Sequence, residues 1–353
     1  MRLAFQQAKK VLGKTKTNPA VGCILVKDNN VISASSTNIN GRPHAEHNAL
    51  KILKKNDKNI HLYSTLEPCS HYGKTSPCVK KIINKKIKKV FFSIKDPDIR
   101  SYNKSTSILK KRKIKVSANI LSNDVSKFYK SYIKYKKKEL PFVTCKLAVS
   151  KDFYINDTKN RHITNKFSRG RGHLLRSYHD CILSSSSTVI EDNSKFTCRV
   201  PGLERFSPTR VILDRELKIP INHNLILLAK KYRTIIFYNK IKKTKIKMLK
   251  KNNIKLIKTS LDINGLLDLK IILKKIKDLG YSRVLLESGL KLSINFFKLS
   301  LIDEFYLFIS NKKIKSHARN NVKKFIKFYL KNKKQENIKV NLFGEKLIKY
   351  TVK

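Results

Sequence analysis

The strongest constraint on this 353-residue chain is a set of metal-donor side chains in one short stretch: His44, then Cys69 and Cys78, each cysteine directly preceded by a proline. Two thiolates and one imidazole suit the borderline-soft zinc ion, and three protein donors leave the fourth tetrahedral position open to solvent. Glu46 stands two residues beyond His44, close enough to exchange protons with whatever occupies that position. A His-x-Glu pair alone carries little information, because most such pairs are surface helix residues. The cysteines change this, since the chain has only six of them and two follow a His-Ala-Glu word within one segment. A closed, structural site requires a fourth protein donor, which His47, His71 or Cys23 could supply. His47 and His71 read as solvated or substrate-facing, and Cys23, inside the apolar run 21–26, as a buried strand residue.

Local patterning supports the chemistry. Ala45, Ala49, Leu50, Ile52 and Leu53 recur at helical spacing over residues 43–55, placing His44 and Glu46 in the first turn of a helix. Pro77 and Cys78 open a second helical stretch through Ile82 and Ile83. Donors at helix N-termini sit in a positive field that favours thiolate over thiol. Apolar runs at 21–26, 60–66 and 89–94 read as strands, so the order strand, helix, strand, helix, strand predicts a layered α/β domain with a largely buried sheet.

The His-Ala-Glu and Pro-Cys words are similar to those of zinc nucleobase deaminases, in which the Glu is acid and base rather than ligand. The longer series Asn18-Pro19-Ala20-Val21-Gly22, His44-Ala45-Glu46, Glu67-Pro68-Cys69-Ser70-His71, Gly73-Lys74-Thr75, Pro77-Cys78 and Lys95-Asp96-Pro97 resembles the family of bifunctional riboflavin biosynthesis deaminase-reductases. Eight residues, Gly73 and Pro77 among them, separate the two cysteines, whereas nucleic-acid and cytidine deaminases usually leave two. The resemblance implies a cytidine-deaminase-like three-layer α/β/α domain over residues 1–140 that removes the exocyclic amine of a diaminopyrimidinone ribonucleotide. It also implies zinc on His44, Cys69 and Cys78, proton transfer by Glu46, and substrate contacts from Asn18, Lys74, Asp96 and Asp98. The family more often has Asn where Asp98 stands.

The zinc words are used up before residue 100, and the length accommodates a second core. A lysine-rich stretch at 134–138 ends in Glu139-Leu140-Pro141, and the apolar run that follows reads as a buried first strand, so a second domain is expected over residues 141–353. Lys146-Leu147-Ala148 with Ser150 and Asp152, His162-Ile163-Thr164, Leu175-Arg176, the run 182–188 with Asp192 and Arg199, Arg210-Val211-Ile212-Leu213-Asp214, and Leu286-Glu287-Ser288-Gly289 resemble the reductase half of the same family, which has a dihydrofolate-reductase-like α/β fold. The resemblance implies reduction of a ribosyl group to ribityl by NADPH. Ala148, His162, Thr188, Asp192, Arg215 and the segment from Gly289 would face NADPH, and Asn160, Arg176, Phe196, Arg199 and Glu287 the substrate. Guanidinium forks match the oxygens of a sugar phosphate. Phe153 stands where the family usually has glycine, Asn193-Ser194 replaces Asp-Pro, Leu290-Lys291 replaces Pro-Thr in the cofactor loop, and a polar, basic stretch at 311–321 replaces a Leu-Leu-Gly word. Arg169-Gly170-Arg171-Gly172 lacks the preceding strand and the full spacing of a dinucleotide fingerprint.

Charge points elsewhere at first, because 79 Lys and Arg against 24 Asp and Glu give a net +55, the mark of a nucleic-acid partner. The excess is mostly lysine, spread along the whole chain beside abundant Ile and Asn. These three residues share A- and T-rich codons, so mutational drift accounts for the composition. The pairs Lys80-Lys81, Lys85-Lys86 and Lys88-Lys89 read as solvated helix faces, without the interleaved aromatics of single-strand binders. Non-specific RNA binding at low salt follows from the field alone. Apolar stretches of signal-peptide or membrane-spanning length are missing, and Cys23, Cys145, Cys181 and Cys198 show no framework spacing. The expectation is therefore a cytoplasmic homo-oligomer that binds zinc, NADPH and a small phosphorylated pyrimidine, with no membrane and no specific nucleic-acid partner. The alternatives are a nucleic-acid deaminase with a basic accessory domain and a non-enzymatic RNA-binding protein with a structural zinc.

Overall fold

The chain divides into two units, Met1–Glu139 and Leu140–Lys353. The computed structural model describes every residue except 158, 159, 161, 241, 242 and 315–317, together with the side chains of 318 and 319. Arg161 and part of the polar stretch 311–321 thus lie outside the described residues.

In the first unit α1 (Arg2–Lys10), β1 (Gly22–Lys27), β2 (Asn30–Ser36), α2 (Ala45–Leu50), β3 (His61–Leu66), α3 (Cys78–Asn84), β4 (Lys89–Ile94), α4 (Lys104–Lys111), β5 (Lys115–Ser117) and α5 (Ser122–Lys137) follow in order. They build a sheet of order β2-β1-β3-β4-β5. β1 is antiparallel to β2 and β3, while β3, β4 and β5 run parallel. Parallel neighbours require crossovers, which α3 and α4 supply. The three predicted strands are present. The sheet is not buried throughout, however, because β2 is an edge strand without a fully buried residue, three of its seven residues being serine. α2 ends at Leu50 rather than near Lys55; the following turns are closed by Leu53 N on Leu50 O and by the Asp57 carboxylate accepting from Lys54 N. Of the lysine pairs, Lys80-Lys81 lies on α3, whereas Lys89 opens β4.

The second unit contains β6 (Phe142–Val149), β7 (Tyr154–Asp157), α6 (Lys166–Ser177), β8 (Cys181–Ser185), α7 (Ser186–Asp192), β9 (Thr209–Leu213), α8 (Asn224–Leu227), β10 (Thr234–Tyr238), α9 (Lys243–Lys251), β11 (Ile254–Lys258), α10 (Leu269–Asp278), β12 (Arg283–Leu286), α11 (Leu290–Lys298), β13 (Glu304–Ile309), β14 (Ala318–Asn321), α12 (Lys323–Leu330), β15 (Lys334–Asn337) and β16 (Lys346–Thr351). Its nine-stranded sheet has the order β11-β10-β9-β8-β12-β6-β13-β16-β15. Strands β11 to β13 run parallel, and β16 and β15 close one edge antiparallel. Val143, Cys145, Leu147 and Val149 of β6 enter the main core, while Lys146 and Ala148 face the other way. Phe153 and Leu290, the bulky replacements, both pack against that core. Thr188 and Asp192 stand on a short helix, α7, which Ser185 Oγ caps by accepting from Thr188 N. All six cysteines are free thiols. Among the described residues no helix is long and apolar enough to cross a membrane.

α1 lies so close to β1 that a Cβ on Gly22 would meet Ala4 O at 1.9 Å and Ala8 N at 2.7 Å, whereas a Cβ on Gly170 in α6 would meet nothing within 4 Å. Gly22→Ala is therefore expected to lower stability by about 2 kcal/mol or more. Gly170→Ala is expected to raise it by about 0.5–1 kcal/mol. Urea unfolding midpoints of the two variants against the parent measure both.

Candidate active sites

Cys69 and Cys78 meet His44 because two helix N-termini converge. His44 is the N-cap of α2 and Cys78 the first residue of α3, whose amide donates to Cys69 Sγ at 3.3 Å. His44 Nδ1 lies 3.6 Å from Cys69 Sγ and 3.5 Å from Cys78 Sγ. Nitrogen and sulfur bound tetrahedrally to zinc at about 2.0 and 2.3 Å would be about 3.6 Å apart, so the donor set fits the ion as it stands. Among the described residues only these three make up the cluster. His71 Nδ1 is instead 2.7 Å from Ser101 Oγ, and Cys23 is buried in β1. His47 is buried rather than solvated, its ring centroid 6.4 Å from that of His44. Glu46 sits beside the donors, Oε2 3.6 Å from Cys78 Sγ and Oε1 accepting from Ser64 Oγ at 3.3 Å. Burial pushes its carboxyl up and the His44 charge partly offsets this. Hydrogen bonding from the Cys78 thiol holds Cys69 well below the ordinary thiol range and raises Cys78 in turn. One sulfur is thus the easier to ionise, and a bound cation would favour the thiolate of both.

The loops around the cluster are stitched together by buried polar groups. Glu67 is buried; its Oε2 accepts from Asp96 N at 3.2 Å and Asn103 N at 3.1 Å, and its Oε1 from Ser105 Oγ at 2.8 Å. Ser101 Oγ accepts from Ser70 N at 3.2 Å. The loop carrying Asp96 and Asp98 is therefore fixed against the loop carrying Cys69. Asp98 is gripped by Arg100 (Nε 2.9 Å, second guanidinium nitrogen 2.6 Å) and by Lys136 at 2.8 Å, which hold it far below the usual carboxylate range. Burial pushes its neighbour Asp96 up to about 6. Asn18 packs on Gly41, where φ is +92° and a Cβ would stand 2.4 Å from Asn18 Nδ2, so only glycine lets the segment leading to His44 close on this residue. Lys74 is exposed on the loop between the cysteines, where Thr75 Oγ1 accepts from Arg42 at 2.6 Å.

In the second unit a cavity of about 920 Å³ opens at the C-terminal ends of β6, β8 and β12, where open parallel sheets bind ligands. Asn160, Arg176, Phe196, Arg199 and Glu287 of the expected substrate set line it, as do Ala148, His162, Thr188, Asp192 and Gly289 of the expected cofactor set. The structure does not bring Arg215 there; its guanidinium donates to Gly265 O at 2.6 Å and to Glu216 Oε1 at 2.9 Å. Arg176 and Glu287 form a bidentate pair at 2.8 and 2.9 Å, with side chains only 15% and 10% exposed. Burial opposes ionisation of Glu287, but Arg176 and Lys146 outweigh it and bring the carboxyl down to about 2. Lys146 and His173 also line the cavity, although the sequence reading gave neither a role there. Lys146 is the one charged side chain in the apolar strand β6, and burial lowers its pKa. His173 donates from Nδ1 to Thr197 O at 2.9 Å, and burial with Arg176 and Arg199 brings its pKa down to about 4, leaving Nε2 as an acceptor. Lys146 opens the quoted word Lys146-Leu147-Ala148 and His173 lies two residues before Leu175-Arg176, the signal that could have found them. Asn193 and Ser194, of the departures, line the cavity, whereas Phe153 and Leu290 are turned into the core. Ala148 and Gly289 keep the strand ends small; a Cβ on Gly289 would meet only Thr188 Oγ1, at 3.9 Å, leaving room for a nucleotide.

A cytidine-deaminase-like unit with an open three-donor zinc set, followed by a dihydrofolate-reductase-like unit with a nucleotide-sized cavity, defines a fused deaminase and reductase. The model of the cytidine and deoxycytidylate deaminase zinc-binding region matches residues 1–94, and that of the RibD C-terminal domain matches residues 141–314. Riboflavin biosynthesis protein RibD of Aquifex aeolicus is 32% identical, over 88% of this chain and 86% of its own length. That of Buchnera aphidicola subsp. Baizongia pistaciae is 31% identical over 90% and 88%. The solved RibD of Acinetobacter baumannii superposes with a TM-score of 0.85 at 25% identity, covering 99% of this chain and 97% of that one. The diaminohydroxyphosphoribosylaminopyrimidine deaminase/5-amino-6-(5-phosphoribosylamino)uracil reductase of Thermotoga maritima gives 0.82 at 29% identity, with coverages of 99% and 97%. The chain belongs to the RibD family and is a bifunctional enzyme of riboflavin biosynthesis. A nucleic-acid deaminase is not favoured, because the second unit matches a reductase domain rather than a basic accessory one.

The Arg176–Glu287 pair has a measurable signature. Glu287 is lower in the folded chain than its unfolded value of about 4.3, so the pair's stabilisation is complete above that value and is lost as pH falls toward about 2. Glu287→Gln is expected to cost about 3–5 kcal/mol at neutral pH. Urea midpoints across this range should fall less steeply for the variant than for the parent.

Proposed function

We propose that Met1–Glu139 deaminates the diaminopyrimidinone ribonucleotide and that Leu140–Lys353 reduces the ribosyl group of the product to ribityl with NADPH. The observation that carries the first half is the open His44, Cys69 and Cys78 set with Glu46 against it; the name of the Thermotoga relative supports both halves. Zinc held by these three side chains would supply a nucleophile at neutral pH by acidifying a water. Glu46 would take the proton from that water, whose oxygen goes to the amine-bearing ring carbon, and would hand it to the departing nitrogen, which leaves as ammonia. Burial raises Glu46, which favours its uptake of that proton. Asp96, Asp98, Asn18 and Lys74 hold the pyrimidine and its ribose phosphate.

In the reductase NADPH would supply hydride when bound. Ala148, His162, Thr188, Asp192 and Gly289, which line the cavity, would hold it. Arg199, exposed at the cavity edge, takes the sugar phosphate. Arg176 and Glu287 fix each other so that both present rigid edges to the substrate, and Lys146 adds a buried ammonium beside Glu287.

In the zinc-loaded chain Glu46→Gln should reduce ammonia release from the diaminopyrimidinone ribotide at least about 100-fold with zinc content unchanged, while Cys78→Ser should lose the zinc. NADPH oxidation on the deaminated product should persist in both. Undiminished ammonia release from Glu46→Gln would overturn the first half, and absence of NADPH oxidation in the parent the second.

A further inference from the structure

α5 belongs to neither matched region, since one ends at residue 94 and the other begins at residue 141. Three of its side chains, Tyr129, Tyr132 and Lys136, are spaced so as to share one helix face. Each of them ends on a segment that the reading above places at the deaminase substrate. The Tyr129 hydroxyl donates to Ala20 O at 2.9 Å and meets Thr65 Oγ1 at 2.8 Å, so the backbone just beyond Asn18 hangs from the helix. Tyr132 donates to Asp96 Oδ1 at 3.1 Å, and Lys136 pairs with Asp98 at 2.8 Å.

We propose that this face of α5 is the positioning element of the deaminase pocket, and that Tyr132 acts through Asp96 by holding its carboxylate at one oxygen and presenting the other to the N–H groups of the pyrimidine. The proposal rests on Asp96 facing substrate. Asp96 Oδ1 accepts from Tyr132 and, at 3.0 Å, from the Asp98 amide. Two donors on one oxygen fix the tilt of the carboxylate and leave Oδ2 for a ligand. Glu67 holds the Asp96 backbone from the end of β3, so the residue is tied on both sides. Burial pushes the Tyr132 hydroxyl up, and it stays a donor at any working pH.

The charged and titratable groups around Asp96 are Glu67, Asp98, Arg100, Tyr129, Tyr132 and Lys136. Burial and Asp98 raise the Asp96 pKa, while Tyr132 and Lys136 lower it. Removing the Tyr132 hydroxyl or the Lys136 ammonium must therefore raise it further, and the acid limb of kcat/KM must move to higher pH. A purely structural role in α5 would not move that limb.

The test is ammonia release against pH in the full zinc-loaded chain, with zinc content and NADPH oxidation as controls. Tyr132→Phe should raise KM about tenfold, as expected for a lost hydrogen bond to a charged group, with kcat little changed and the acid limb at higher pH. Lys136→Met, at the more exposed end of the face, should move the limb in the same direction and serves where Tyr132→Phe folds poorly. Tyr129→Phe should raise KM and leave the limb in place. Parental KM and limb in Tyr132→Phe and Lys136→Met, with Asp96→Asn impaired, would overturn the proposal and spare the reading of Asp96. Parental kinetics in Asp96→Asn would overturn both.

Discussion

Two sulfurs held within 3.6 Å of one imidazole nitrogen, His44 Nδ1, are the constraint on which the first unit depends. Such a set is uncomfortable without a cation: hydrogen bonding between the two sulfurs lowers the Cys69 thiol, while that bond, burial and the nearby Glu46 raise Cys78. The backbone tolerates this because α2 and α3 aim their positive ends at the same point. Around that point the loops are tied by carboxylates rather than by apolar packing. Glu67 alone orders the ends of β3 and β4 by accepting from Asp96, Asn103 and Ser105.

The second unit uses the same device in another form. Arg176 from α6 and Glu287 from the end of β12 meet in a bidentate pair at the floor of the cavity, so two elements far apart in sequence fix one another. A buried pair of this kind costs desolvation and returns defined geometry. Acidic residues as a class are put to such work. Glu46, Glu67, Asp96, Asp98, Asp214, Asp303, Glu304 and Glu345 are buried, eight of the 24 acids, whereas of the described Lys and Arg only Arg210 is buried to the same degree, Arg176 and Lys146 keeping a small exposed part. The lysine excess is accordingly a solvated surface, and the few acids are where the fold spends its charge.

Much of the catalytic chemistry was legible because it resides in short words whose side chains are contiguous in sequence, as in His44-Ala45-Glu46 and the two Pro-Cys words. The β1, β3 and β4 strands were legible because buried parallel strands are continuous apolar runs. β2 escaped since an edge strand needs no apolar face, and α2 was overextended because Ile52 and Leu53 continue a helical period in a segment that has already turned. Phe153 and Leu290 looked obstructive from type alone; their side chains point into the core, a direction no residue identity carries. Arg215 matched by position, yet hydrogen bonds to Gly265 and Glu216 take it elsewhere. Tyr132 and Lys136 carry no motif at all, and only the folded chain places them on Asp96 and Asp98.

The central claim is an ion with one imidazole, two thiolates and one open position. X-ray absorption at the zinc edge of the loaded full-length protein reads this directly. The account predicts two sulfur neighbours at about 2.3 Å and two nitrogen or oxygen neighbours at about 2.0–2.1 Å, with the multiple scattering of a single imidazole. A second imidazole signature, a third sulfur, or a chain that takes up no zinc would contradict it.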